Sequence, residues 1–114
     1  FLGIAKKTPA FFLMDQTVSA IHFSPRAQQD VATAFKHYEQ VHVGLGGRFL
    51  AELDAMLHLV ARHPQSFQSI HNDIRRAVMH RFPYIIAYEI WQGSVIVLRV
   101  RASHQDPKTL LPSE

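Results

Sequence analysis

The sequence predicts an α+β domain: a short N-terminal strand, an α-helical hairpin and a three-stranded antiparallel meander. Three observations predict it. Two stripes of apolar residues recur at helical spacing on either side of GLGG at 44–47. Runs rich in β-branched and aromatic residues fill the C-terminal half, and glycine or proline marks the turns between them. At 114 residues the chain is long enough for one domain with a core and too short for two. With 47% hydrophobic and 18% charged residues it should bury that core unaided.

The segment SAIHF (19–23) alternates apolar and polar side chains and ends at Ser24-Pro25. Ser24 can cap a helix, and Pro25 at the first helical position gives up no hydrogen bond. Ala27, Val31, Ala34, Phe35, Tyr38 and Val41 then form one stripe, while Arg26, Asp30, Lys36 and Glu39 lie off it. GLGG ends this helix as a plain turn, since it stands between two helices and follows no strand as a phosphate-binding loop would. A second stripe comprises Phe49, Leu53, Met56, Leu57 and Val60, and His63-Pro64 stops it because the residue before proline is pushed out of the α region. Neither helix can hide its stripe fully against the other, so a sheet is required. Strands are predicted near 73–79, 84–91 and 94–101, with turns at Phe82-Pro83 and Gln92-Gly93.

A two-residue loop at Gln92-Gly93 sets Trp91 opposite Ser94, Tyr88 opposite Val97, Ile86 opposite Arg99 and Tyr84 opposite Arg101. The first hairpin sets Met79 opposite Tyr84 and Arg75 opposite Tyr88. One face then carries Ile74, Val78, Ile85, Ala87, Trp91, Ile96, Leu98 and Val100, and is expected to receive the helices. Arg76 falls on it near Glu89, a peripheral ion pair. The other face gathers Arg75, Tyr84, Tyr88, Arg99 and Arg101 away from the helices, as a basic and aromatic target-binding surface. Arg81 sits at an exposed turn. An extra residue in either turn would exchange the faces.

Twelve Lys and Arg against nine Asp and Glu give a net charge of +3, which suits an anionic partner: nucleic acid or an acidic protein segment. The absence of cysteine excludes a disulfide framework and a thiolate zinc site, and makes the cytoplasm the expected location. No apolar run approaches a membrane span, and the start is a poor secretory signal. Met14-Asp15 is where a natural start is expected, setting residues 1–13 apart as an N-terminal extension from a domain at 14–114. An arm packed on the domain is the alternative.

Eight histidines invite a metal, but His37 and His42, like His58 and His63, are five apart and so diverge by about 140° around a helix. No metal and no cofactor are expected. His104, in ASHQDP after the last strand, could assist proton transfer in RNA cleavage beside Arg75, Arg99 or Arg101.

Taken together, SPRAQQDV, YEQVHVGLGGRFLAELDAMLHLVARHP, IRRAVMHRFPYIIAYEI and VIVLRVRASHQDP resemble the RelE/ParE family of bacterial type II toxins over residues 19–107. The FPYxIxY strand and the GLGxxF hairpin are more similar to the ParE branch, which is associated with plasmid stabilization and growth inhibition through DNA gyrase. That branch has no settled catalytic set. The RelE branch cleaves mRNA at the ribosome; were this chain RelE-like, the resemblance would make Arg75, Arg81, Tyr84 and His104 the candidate catalytic residues. ParE-like sequences commonly carry arginine just after the C-terminal histidine, where this chain has Gln105-Asp106. A non-toxic remnant that only binds its antitoxin is the third reading. In every case the resemblance implies a cognate antitoxin whose acidic segment folds on the toxin, giving a hetero-oligomer.

Overall fold

The computed structural model describes residues 20–103. The element order is β1 (Ala20–Phe23), α1 (Pro25–Val41), α2 (Leu45–Arg62), β2 (Gln68–His71), β3 (Ile74–Val78), β4 (Tyr84–Trp91) and β5 (Ser94–Ala102). These are the expected α+β elements in the expected order, with one strand more. β2 is short and almost wholly exposed, with Ile70 its one half-buried residue. Its polar sequence gives little alternation to read, and its pairing to β3 is irregular between Ser69 and His71. The sheet runs β1-β5-β4-β3-β2, antiparallel except for β1 alongside β5.

Ser24 caps α1 as expected, its Oγ accepting from Ala27 N at 3.0 Å, and it also donates to Leu98 O at 3.0 Å. One hydroxyl thus starts the helix and ties it to β5. Ala27, Val31 and Ala34 are buried, but Val41, the last residue of the helix and of the stripe, is exposed. Gly44, at φ 91°, turns the chain in a conformation that disfavours other residues.

No Ser, Thr, Asp or Asn precedes α2 to cap it. Glu39 of α1 supplies the missing acceptors, its two carboxylate oxygens taking the N–H groups of Gly44 (2.8 Å) and Gly46 (2.9 Å). Negative charge is favourable at that helix end. The approach is so close that a Cβ at Gly46 would lie 2.8 Å from Glu39 Oε1 and from the Phe35 ring. The turn is therefore a plain turn, and its second glycine lets the two helices meet. Phe49, Leu53, Met56, Leu57 and Val60 are all buried along α2.

The faces of β3, β4 and the first part of β5 are the reverse of those expected, whereas Val100, beyond the slip in register, lies in the helix-covered core as expected. The main core joins Ala27, Val31, Phe49, Leu53 and Leu57 of the helices to Ala77, Met79, Ile86, Tyr88, Val95, Val97 and Val100 of the sheet. Ile74, Ile85 and Ala87, with Ile70 and Leu98 against them, make a separate cluster on the other face. Both faces are apolar enough to attract a helix, so alternation alone could not choose between them.

The predicted pairing holds from Trp91–Ser94 to Tyr88–Val97 and then slips by one. A bulge at Leu98 pairs Ala87 with Arg99, Ile86 with Val100 and Tyr84 with Ala102, where Arg99 and Arg101 were expected opposite Ile86 and Tyr84. Arg76 makes no ion pair with Glu89 among the described residues; its Nε donates to Gln68 Oε1 at 3.1 Å, on the strand the sequence did not reveal.

Candidate functional site

β1 stops at Phe23, leaving the rest of β5 with an edge, and α1 supplies its partners. Val97 O accepts from Ser24 N at 2.9 Å, Leu98 O accepts from Ser24 Oγ, and Val100 N donates to Asp30 Oδ2 at 2.9 Å. Asp30 therefore does in part what a strand would do. It is also a buried ion-pair partner: Arg99 Nε and Nη2 reach its two oxygens at 2.8 and 3.2 Å, and Arg101 Nη1 lies 3.6 Å from Oδ1. The Asp30 and Arg99 side chains are only 8% and 10% exposed, so this fork is shielded from the solvent that weakens surface pairs.

Beside this pair a cleft of about 320 Å³ opens, lined by Arg26, Gln29 and Thr33 of α1 and by Tyr84, Arg99 and Arg101 of the sheet. The guanidinium groups of Arg26, Arg99 and Arg101 share it with the Asp30 carboxylate. The Tyr84 ring closes the back of the cleft against Phe49 (centroids 5.2 Å apart) and Tyr38 (6.1 Å). Burial raises the pKa of both tyrosine hydroxyls, and the hydrogen bond between them pushes that of Tyr84 further up. At neutral pH both are neutral phenols.

A second polar cluster, between α2 and the sheet, is built differently. Tyr88 is fully buried and donates to Pro64 O at 2.6 Å, while Arg75 Nη1 donates to Phe67 O at 2.7 Å. Burial pushes the Tyr88 hydroxyl up to about 12, with the nearby Arg75 charge opposing part of the rise. These two side chains fasten the connection between α2 and β2.

The five residues expected together on an open target-binding surface are divided: Arg75, Tyr84 and Tyr88 belong to the side that the helices cover, while Arg99 and Arg101, opposite Ala87 and Ile85, reach Asp30 at the β5 edge. Tyr84, Arg99 and Arg101 line the cleft, with Arg99 itself buried. Arg75 and Tyr88 are tied to backbone carbonyls at the far end. Arg81 is at an exposed turn as expected, its side chain 82% exposed and its Nε 3.7 Å from Glu52 Oε2. His104, Gln105 and Asp106 lie outside the described residues, as do residues 1–13.

Arg26 and Asp30 were missed, because lying off the apolar stripe reads as solvent exposure. The usable signal was the Arg-x-Arg pair at 99 and 101, which needs acceptors wherever it is buried. Among the described residues no group of three or more His, Cys, Asp or Glu could hold a metal ion, and no helix is long and apolar enough to cross a membrane.

Residues 21–107 match the family described as the ParE toxin of the type II toxin-antitoxin system parDE. Among solved structures, one from a chromosomal ParDE toxin-antitoxin system of P. aeruginosa is similar with a TM-score of 0.65 and 12% identity. That likeness covers 72% of this chain and 92% of the other, and at such identity it speaks for the fold. A search of curated proteins returned no match.

Proposed function

Because this chain belongs to the ParE toxin family of type II toxin-antitoxin systems, we propose that it arrests growth by binding DNA gyrase and that a cognate antitoxin neutralises it in the cytoplasm. The observation that carries the reading, beyond the family itself, is the separate surroundings of the three candidate catalytic groups among the described residues. Arg75 is committed to Phe67 O, Arg81 stands at an exposed turn beside Glu52, and Tyr84 lies at the back of the cleft. Acid–base chemistry on a phosphodiester needs its groups converging on one reacting atom within hydrogen-bond reach. A toxin that acts by binding needs no such convergence. The surplus of basic residues supports an acidic antitoxin segment as partner.

The test is induction of the chain without an antitoxin, followed by assays of the purified protein for gyrase-dependent DNA cleavage and for mRNA cleavage on ribosomes. DNA breaks with intact mRNA are expected. Cut mRNA would transfer the chain to the RelE-type activity, and growth without arrest would leave it an antitoxin-binding remnant.

A further inference from the structure

We propose that residues 10–18 of this chain pack across the second face of the sheet, so that the molecule itself closes the side that no described helix covers. The proposal is independent of the gyrase reading, since it concerns a contact within the chain and not the identity of a target. A sheet face turned to water is built largely from polar residues. This one carries Ile74, Val78, Ile85, Ala87, Ile96 and Leu98. The buried apolar side chains of α1 and α2 all belong to the opposite core. The described apolar residues packed against Ile74, Ile85 and Ala87 are Ile70 and Leu98, yet these three are only 7%, 9% and 0% exposed. Val78 at 46% and Trp91 at 60% stay exposed at opposite ends of the face, so it is the middle that is shut from water.

Composition, length and point of attachment identify the occupant. Residues 10–18 read AFFLMDQTV, with Phe11, Phe12, Leu13, Met14 and Val18 apolar and Asp15 the one charge. Burying side chains of that size is favourable in proportion to the area removed from water. The segment leads into β1, whose Ala20 pairs with Ser94 at the edge of the sheet. From that point Ala87 lies two strands across and four residues along β4, because Trp91 stands opposite Ser94. At about 4.8 Å per strand and 3.4 Å per residue this is a diagonal of about 17 Å. An extended chain from Met14 to Ala20 spans about 20 Å, so Phe11 to Met14 can reach the ground over Ala87, Leu98 and Ile74. A partner that addresses the sheet from this side has to displace the segment first.

The chain has no cysteine, so a thiol introduced by substitution reports its own surroundings. In the full chain, Leu98→Cys should react with an uncharged maleimide about tenfold more slowly than Val43→Cys. Val43, at the α1–α2 turn, is 83% exposed and serves as the reference. Adding Phe11→Ser and Phe12→Ser should raise the rate of Leu98→Cys about tenfold and leave that of Val43→Cys unchanged. Ile96→Cys, half-buried on the same face, repeats the measurement, and circular dichroism confirms that each variant is folded. A short bismaleimide should join Phe12→Cys to Leu98→Cys within one chain, at a yield independent of protein concentration. Equal rates at positions 98 and 43, a slow rate that survives both serine changes, or joining only between two chains would each overturn the proposal. The last result would give the face to a second copy.

Discussion

Two polar clusters beside the helix-covered core use the same residue types to opposite ends. Around Tyr88 and Arg75, each polar group meets a main-chain carbonyl, from Pro64 and Phe67, and no carboxylate is involved. Around Arg99 and Arg101, a single carboxylate serves two guanidinium groups and a backbone N–H, and a third arginine lines the adjoining cleft. The first end is closed and locks a connection in place. The second opens onto a cleft lined by Arg26, Arg99 and Arg101. An arginine in a strand is therefore no guide to function until its acceptors have been counted.

That contrast can be broken most severely at Asp30. Asp30→Ala removes the acceptor of both the buried Arg99 fork and the β5 edge, and should cost about 3–5 kcal/mol in urea unfolding. A cost below about 1 kcal/mol would show that solvent readily replaces the carboxylate. At the closed end, Tyr88→Phe removes one donor and leaves Pro64 O buried, for an expected loss of about 1–2 kcal/mol.

The same tyrosine gives a pH signature. Its folded-state pKa, pushed up to about 12, lies above the usual phenol value near 10, so the folded chain keeps a proton that the unfolded chain releases. The stabilisation is complete below pH 10 and is lost as pH rises from about 10 to about 12. Alkaline melting curves should show a steeper decline in wild type than in Tyr88→Phe over that window. Last and smallest, Arg26→Gln at the open end should change stability by less than about 0.5 kcal/mol, because its side chain faces solvent. A larger loss would place Arg26 in the structural group with Arg99.

The helices and most of the sheet were legible because their signals are local. Ser24-Pro25, Gly44, His63-Pro64 and Gln92-Gly93 set the boundaries through backbone chemistry, and the stripe of α2 appears residue for residue in the core. Three things were not legible. β2 has one half-buried residue, so it carries almost no alternation. The bulge at Leu98 lies where α1 takes over the β5 edge, a contact between segments 70 to 74 residues apart. The choice of face could not be made from alternation when Ile74, Ile85 and Ala87 balance Ala77, Ile86 and Val97. Of the site, the arginines and Tyr84 were visible as residue types, but their acceptors were not, and Asp30 was hidden by the assumption that charge off a stripe faces water.

The chain has a single tryptophan, and its position has a practical consequence. Trp91 is 60% exposed at the β4–β5 turn, far from the packing that defines the native state. Its emission will already resemble that of a solvated indole, so denaturation should move it little, and optical unfolding curves should be followed by far-ultraviolet signals instead. The same indole becomes a built-in reporter of docking: a macromolecule that covers this turn will shift its emission to the blue, while one confined to the cleft will leave it unaltered.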